Sequence, residues 1–125
     1  MAGISNPANS GTGNINEILI NTTTDPISVT YEITLTANGC TNPSIYNVVV
    51  VVNPTPALTS SLTPPDICSN TAFVYTPASG TSGTSFAWSR AAVAGISNPA
   101  SSGTGSINEI LVNTTANPIN VTYIY

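Results

Sequence analysis

The clearest hydrophobic pattern of the chain lies in residues 28–36, where apolar and polar side chains alternate. Its apolar positions are Val29, Tyr31, Ile33 and Leu35, and threonines and a glutamate stand between them. A period of two places successive side chains on opposite faces of an extended backbone. The pattern therefore predicts a β-strand with one apolar face and one polar face.

A second strand is predicted at residues 46–52, which read YNVVVVV. Valine favours strands because its branched Cβ packs well on a pleated surface. Between the two strands, Asn38-Gly39 is a dipeptide typical of tight hairpin turns. Residues 29–52 are therefore predicted to form an antiparallel hairpin. One face of its second strand would carry Tyr46, Val48, Val50 and Val52.

Shorter apolar or aromatic stretches predict four further strands, at residues 15–21, 57–62, 67–75 and 86–88. Segments rich in Gly, Pro, Ser and Asn separate them, and these residues terminate strands and form turns. No stretch shows a helical period longer than one turn. The chain is therefore predicted to be all-β.

One stretch of the chain occurs twice. Residues 2–33 and residues 94–125 are offset by 92 positions, and 24 of their 32 aligned pairs are identical. We call them the leading segment and the trailing segment. A unit of about 92 residues is too long for one turn of a solenoid and matches one small all-β domain. The chain is thus predicted to come from a tandem array of nearly identical domains.

The boundary between two such domains is predicted at Asn53-Pro54-Thr55-Pro56, where two prolines stiffen the backbone and remove hydrogen-bond donors. In this frame, residues 1–55 are the C-terminal part of one repeat and residues 56–125 are the N-terminal part of the next. Neither unit would be complete, and an unpaired sheet edge readily pairs with another chain. We therefore expect a neighbouring chain to complete each unit.

Charged residues make up only 5 % of the chain, whose formal net charge is −4 and whose single basic side chain is Arg90. Nucleic acids and anionic membrane surfaces bind basic patches, so neither is an expected partner. No apolar run approaches the roughly 18 residues that span a bilayer, so no membrane insertion is expected. A surface of Thr, Ser and Asn suits a β-sheet protein in an extracellular medium.

The sequence predicts no catalytic, cofactor or metal site. No His or Lys is present to act as a base beside a Ser or Thr nucleophile. Gly11-Thr12-Gly13 precedes a predicted strand rather than a helix, which argues against a phosphate-binding loop. The acidic residues are scattered and lack the spacing of a calcium site or a catalytic pair. They are Glu17, Asp25, Glu32, Asp66 and Glu109.

Six motifs cover nearly the whole chain when it is taken from residue 56 to the end and continued by residues 34–55. They are Pro64-Pro65-Asp66-Ile67-Cys68-Ser69, Phe86-Ala87-Trp88, Ile107-Asn108-Glu109-Ile110-Leu111-Val112-Asn113-Thr114, Pro118-Ile119-Asn120-Val121-Thr122-Tyr123, Asn38-Gly39-Cys40 and Val50-Val51-Val52-Asn53-Pro54-Thr55-Pro56. Their order and spacing resemble the PKD-like, immunoglobulin-like repeats of giant cell-surface proteins of Bacteroidota, including gliding-type and secreted adhesins. The resemblance implies a β-sandwich of seven to eight strands, repeated along a surface stalk.

With this fold, Trp88 is expected to be a core aromatic beside a disulfide, as in immunoglobulin-type sandwiches, rather than a sugar-stacking platform. Phe73, Tyr31 and Tyr123 are the other expected core aromatics.

A structural disulfide is expected to involve Cys40 and Cys68, rather than a redox or metal role for these two residues. Within one complete repeat, the partner of Cys68 would stand 92 residues after Cys40, beyond Tyr125. Cys40 of one chain would then pair with Cys68 of its neighbour, or the chain is a stretch of a longer continuous fibre. In a third interpretation, residues 34–55 fold back onto residues 56–125 of the same chain. It is the least favoured, because a Pro-Thr-Pro link does not reverse the chain.

The expected function is structural: a stalk or filament repeat of a large bacterial cell-surface or extracellular protein that self-associates head to tail. The alternative is an adhesin module that binds a glycan or a protein partner multivalently. An adhesin needs an exposed aromatic or apolar patch, for which Tyr46 and Tyr125 are the candidates. No enzymatic activity and no cofactor are expected.

Overall fold

The computed structural model describes all residues from Met1 to Tyr125 and contains nine β-strands and no helix, which confirms the prediction of an all-β chain. It therefore has no helix that could cross a membrane. The chain forms two compact units, unit 1 (Met1–Pro56) and unit 2 (Ala57–Tyr125). The strands are β1 (Ile27–Ile33), β2 (Thr36–Ala37), β3 (Cys40–Thr41), β4 (Tyr46–Val52), β5 (Thr71–Tyr75), β6 (Ala87–Arg90), β7 (Ser101–Thr104), β8 (Ile107–Leu111) and β9 (Tyr123–Ile124).

Unit 1 is built on the predicted hairpin. Strands β1 and β4 pair antiparallel in a continuous register from Ile27 opposite Val52 to Ile33 opposite Tyr46. Between them, β2 and β3 form a small hairpin around Asn38 and Gly39. Both turn residues have positive φ, 51° and 78°, as a type I′ turn requires, and Asn and Gly adopt that conformation most readily. The hairpin and its turn are therefore confirmed.

The two strands of this hairpin differ in burial. Strand β1 alternates as its sequence predicts, with its apolar side chains half-buried and its polar ones exposed. Strand β4 is exposed on both faces, and only Val52 is half-buried. Val48 and Val49, which point to opposite faces, keep 48 % and 58 % of their surface exposed. Unit 1 thus contains an apolar strand that its own residues cover on neither face.

Unit 2 contains two separate antiparallel sheets. Strand β5 pairs with β8, and β6 lies between β7 and β9. The alternation of β8 places Ile107 and Leu111 inside, with 1 % and 8 % of their surface exposed. They are the most buried apolar side chains of this unit, so the core of unit 2 is centred on β8.

Four of the sequence-predicted strands are wrong or too long. The strand predicted at residues 28–36 ends at Ile33, and Leu35 lies beyond it with 50 % of its surface exposed. Residues 15–21 form no strand, and their only bridge joins Asn21 to Ile4. Residues 57–62 contribute a single bridge from Leu58 to Ser79. The strand predicted at 67–75 begins at Thr71, because Asn70 has a positive φ of 63° that breaks the extended backbone before it.

The failure at residues 15–21 has a specific cause. The same sequence, INEIL, stands at residues 15–19 and at residues 107–111, and only the second forms a strand. Residues 107–111 pair with β5, whereas unit 1 has no strand that corresponds to β5. A strand requires a partner for its backbone groups, so an identical sequence is extended in one unit and irregular in the other.

Candidate functional site

The leading and trailing segments share the same side-chain hydrogen bonds at corresponding positions, although their strands differ. Asn6 bonds through its side chain to the carbonyl of Ile18 and the amide of Ile20, and the corresponding Asn98 bonds to those of Ile110 and Val112. This pattern ties each segment into a loop around its INEIL stretch.

A backbone hydrogen bond between a threonine and a glycine is also repeated in the two segments. The amide of Thr22 donates to the carbonyl of Gly3 at 2.8 Å, and that of Thr114 donates to Gly95 at 2.8 Å. Both glycines have a positive φ, 79° and 86°, and a Cβ at either position would overlap an isoleucine side chain. Each segment therefore brings its own scaffold, independent of the strands that surround it.

The strongest polar cluster of the chain joins Arg90, Glu109 and Tyr123 in unit 2. Nε of Arg90 donates to Oε2 of Glu109 at 2.9 Å, and Nη2 of Arg90 donates to Oε1 of Glu109 at 3.2 Å. The hydroxyl of Tyr123 donates to Oε2 of Glu109 at 2.5 Å. Arg90 also donates to the carbonyls of Pro99 and Ala91, so its buried guanidinium, with the residue only 2 % exposed, is surrounded by acceptors.

The hydrogen bonds and the burial of this cluster shift the pKa values of its three members. The hydrogen bond from Arg90 is the main reason that the pKa of Glu109 lies below its ordinary value, although burial opposes it. The same bond raises the pKa of Arg90. Burial, followed by the bond to the carboxylate, raises the pKa of Tyr123. The three groups therefore stay in one charge state over the physiological range, which is typical of a structural ion pair rather than of a catalytic acid or base.

Unit 1 contains the same carboxylate and tyrosine without the arginine. The hydroxyl of Tyr31 donates to Oε2 of Glu17 at 2.8 Å, as Tyr123 does to Glu109. Nδ2 of Asn9 donates to Oε1 of Glu17 at 2.9 Å, the oxygen that corresponds to the acceptor of the second arginine bond. Because of these bonds, from Asn9 first and then from Tyr31, the pKa of Glu17 is lowered. Glu17 has no cation beside it.

An aromatic cluster lines an open groove of unit 2. The rings of Phe73 and Tyr123 stack with centroids 5.3 Å apart, and Trp88 meets Tyr123 edge to face at 5.7 Å. Tyr75 and Tyr125 extend the cluster, with centroids 5.7 Å apart. The groove has a volume of about 1110 Å³ and is continuous with the core at Ile107 and Leu111. Two further stretches line the groove, residues 61–69 and residues 115–123 in the C-terminal part of the trailing segment.

Trp88 packs against the backbone of the neighbouring strand at Gly103. A Cβ added to Gly103 would lie 2.9 Å from Cζ2 of the indole, closer than real Cβ contacts. Gly11, the corresponding residue of the leading segment, has no atom within 4 Å of the same position. Gly103 in β7 therefore makes room for the indole of Trp88, whereas no side chain occupies the corresponding space beside Gly11.

Gly103→Ala is accordingly expected to destabilise unit 2 by about 1–3 kcal/mol, the usual range for overpacking. Gly11→Ala is the matched control and should leave stability nearly unchanged. Urea unfolding would measure both, with the fluorescence of Trp88, the single tryptophan, reporting on unit 2 and far-UV circular dichroism reporting on both units. Equal effects of the two substitutions would contradict the packing of the indole against Gly103.

The structure brings some of the sequence-predicted site residues together and leaves others apart. Phe73, Trp88 and Tyr123 are half-buried neighbours in unit 2, whereas Tyr31 lies half-buried in unit 1. Cys40 in β3 and Cys68 just before β5 are both exposed, and both thiols are free within this chain. The pairing of the cysteines with a neighbouring chain stays a prediction. No group of three acidic, cysteine or histidine side chains is arranged to hold a metal ion.

The sequence reasoning missed the role of Arg90 and Glu109. It treated Glu109 as one of five scattered carboxylates and gave Arg90 no role. The sequence contained one signal for this pair. A basic residue is almost never fully buried unless a carboxylate pairs with it. Arg90 is the only basic residue of the chain, and Glu109 is a carboxylate at a repeated strand position. Arg90 lies in β6 and Glu109 in β8, which belong to different sheets, and the sequence did not show that these two strands come together.

The sequence model of a PKD-like domain matches residues 3–56 and residues 65–125, most of both units. The chain belongs to the PKD-like domain family. No curated protein and no solved structure shows a significant match to it. The match confirms the expected fold class, an all-β, immunoglobulin-like β-sandwich in tandem repeat. PKD-like domains are typically extracellular repeat modules, which gives the two units of this chain their general class.

Proposed function

We propose that these PKD-like units are spacer repeats of a large bacterial cell-surface protein, of the kind found in Bacteroidota adhesins, and that they assemble head to tail into an extended fibre. The observation that carries the proposal is the complementary strand content of the two units. Unit 1 has the valine strand β4 but no partner for residues 15–19, and unit 2 has that partner, β5, but no valine strand.

The trailing segment is the natural acceptor for a second chain's β4. In unit 1, β4 pairs with residues 27–33, and the trailing segment repeats that stretch at residues 119–125. Residues 119–122 form no strand, and the groove lies beside them. The exposed Val48 and Val50 of an incoming β4 would gain the cover that they lack in unit 1.

The register of β1 with β4 in unit 1 predicts which residues of two neighbouring chains would lie opposite each other. Because Ile33 lies opposite Tyr46 in unit 1, Tyr125 of one chain would lie opposite Tyr46 of the next. The two tyrosines are 37 % and 47 % exposed in the single chain. Aromatic cross-strand pairs add to sheet stability. A fibre would therefore use the same two side chains that an adhesin would need to keep exposed.

An adhesin module is the second candidate, favoured by the exposed Ile124 and Tyr125 at one end of unit 2, with 67 % and 37 % of their surface accessible. It predicts that a glycan or protein ligand competes for this surface, whereas the fibre predicts that a second copy covers it. A catalytic role forms no part of the proposal, since the only basic side chain, Arg90, is held by Glu109.

The cysteines provide the test of head-to-tail assembly. In an air-oxidised sample, we expect intact mass under non-reducing, denaturing conditions to show disulfide-linked multimers, and peptide mapping to find Cys40 of one chain bonded to Cys68 of another. Cys40→Ser and Cys68→Ser, mixed in equal amounts, should give dimers and no larger species. A Cys40–Cys68 bond within one chain would contradict the proposal, as would a monomer at high concentration under native conditions.

A further inference from the structure

The peptide bond between Asp25 and Pro26 lies in an exposed loop of unit 1, directly before β1. The carbonyl oxygen of Asp25 accepts two hydrogen bonds from side chains. Nδ2 of Asn21 donates to it at 2.7 Å, and Oγ1 of Thr23 donates to it at 2.9 Å. Two donors that are aimed at one carbonyl oxygen stabilise the negative charge that develops there when a nucleophile attacks the carbon.

Both donors are held in place before any reaction begins. The second proton of the Asn21 amide is bonded to the carbonyl of Val52 at 2.8 Å, which fixes the side chain. Oδ1 of Asn21 accepts the backbone amide of Thr23 at 2.9 Å. The Thr23 hydroxyl lies 2.8 Å from the same Oδ1. Because Oδ1 already has a donor, the single hydroxyl proton is free for the carbonyl of Asp25.

The carboxyl group of Asp25 is a nucleophile within reach of its own carbonyl carbon. The hydrogen bonds of Asp25 use its amide and its carbonyl and leave the carboxyl free. No basic group faces it, since the only salt bridge of the chain joins Arg90 to Glu109. Attack by a carboxyl oxygen on the carbonyl carbon closes a five-membered ring, and an intramolecular attack of this kind has a high effective concentration.

We propose that the chain cleaves itself between Asp25 and Pro26 in a single-turnover reaction. An oxygen of the Asp25 carboxyl bonds to the carbonyl carbon, and Asn21 and Thr23 stabilise the negative charge on the carbonyl oxygen. The bond from that carbon to the nitrogen of Pro26 then breaks, and the carboxyl proton passes to this nitrogen, which leaves as a secondary amine. The cyclic anhydride that remains at Asp25 is opened by water to two carboxyl groups.

The trailing segment contains the same two donors without the nucleophile. Nδ2 of Asn113 donates to the carbonyl of Asn117 at 2.8 Å, and Oγ1 of Thr115 donates to it at 3.0 Å. Pro118 follows, as Pro26 follows Asp25. The side-chain amide of Asn117 is a poor nucleophile and has no acidic proton to give to the leaving nitrogen. The bond between Asn117 and Pro118 is therefore expected to stay intact.

The two products would stay together in the folded unit. Residues 1–25 remain bonded to the rest of unit 1 by the hydrogen bond from Asn21 to Val52 and by the bond from Tyr31 to Glu17. Cleavage thus replaces one covalent link of the chain by non-covalent contacts. Denaturing conditions are needed to observe it.

The test is incubation of the reduced full chain at about pH 5, where a fraction of ordinary carboxyl groups is protonated and the ionised Glu109 still stabilises the fold. Intact mass under denaturing conditions should show two fragments, residues 1–25 and residues 26–125. Asp25→Asn should abolish them. Thr23→Val should slow their formation about tenfold or more, and Thr23→Ser, which keeps the hydroxyl, should restore most of the rate.

Asn117→Asp is the matched variant in unit 2, and it should create a second cut before Pro118. The parent chain unfolded in urea at the same pH should be cut about tenfold or more slowly, because it lacks the fixed donors. Equal rates in the folded and unfolded chain would reduce the reaction to ordinary acid hydrolysis and overturn the proposal. An uncut parent chain, a rate indifferent to Thr23→Val, or an uncut Asn117→Asp variant would also overturn it. The reaction takes place within one chain, so failure of fibre assembly would leave this result unaffected.

Discussion

Ile107→Ala is expected to lower the free energy of unfolding of unit 2 by about 2–5 kcal/mol, the range for deleting a buried isoleucine down to Cβ. Ile107 is only 1 % exposed and lies at the centre of the core beside β5. Its removal leaves a cavity next to the groove that Ile107 lines. Ile107→Val should cost about 0.5–1.5 kcal/mol and provides an intermediate point if the alanine variant fails to fold.

The repeat supplies a matched control for this substitution. Ile15 has the same sequence neighbours as Ile107 but is 51 % exposed, so Ile15→Ala should change stability by no more than about 0.5 kcal/mol. Urea unfolding of the three variants measures the difference, with the fluorescence of Trp88 reporting on unit 2 and far-UV circular dichroism reporting on both units. If Ile15→Ala and Ile107→Ala were equally harmful, residues 15–19 would be packed as a strand in solution, contrary to the structure.

Glu109→Gln is expected to destabilise unit 2 by about 3–5 kcal/mol, because it leaves the charge of Arg90 buried without a counter-ion. Arg90 is 2 % exposed and bonds to both carboxylate oxygens. Glu17→Gln removes the same side chain at the repeated position, where no cation depends on it, and should have little effect. Thermal unfolding of the two variants against the parent chain tests this, and a mild effect of Glu109→Gln would mean that water reaches the guanidinium.

The ion pair between Arg90 and Glu109 makes the stability of the fold depend on pH. The pKa of Glu109 is lowered in the folded chain from its ordinary value of 4.5, chiefly by Arg90. The ionised carboxylate therefore stabilises the fold at pH values above 4.5, and this contribution is lost as the pH falls through the lower pKa of the folded state. The loss of stability between neutral pH and pH 3 should be smaller in Glu109→Gln than in the parent chain. An unchanged acid profile would assign that loss to other carboxylates.

Much of unit 1 was predictable because its signals are local. The alternation at residues 28–36 fixed which side chains of β1 face inward, and Asn38-Gly39 required the positive φ angles that a type I′ turn needs. The run of valines at residues 46–52 specified a strand but not its burial. Burial depends on what covers the sheet, so composition alone did not reveal that both faces of β4 are uncovered.

The candidate site was less predictable because it depends on non-local pairing. Arg90 and Glu109 are 19 residues apart, in β6 and β8, and these strands belong to different sheets that come together only in the folded unit. The boundary predicted at residues 53–56 separated Tyr31 from the other aromatic residues, yet the sequence did not show that Phe73, Trp88 and Tyr123 pack together. Their positions follow from which strands pair, and pairing is a property of the whole unit.

By itself, the amino-acid sequence determined that this chain is all-β, that it repeats with a period of 92 residues, and that residues 29–52 form a hairpin with a tight Asn-Gly turn. Periodicity and turn chemistry encode these features within a few residues of one another. Only the tertiary structure decided that INEIL is a buried strand at residues 107–111 and an irregular segment at residues 15–19. The physical reason is that a strand exists by hydrogen bonding to a partner, and only unit 2 contains β5.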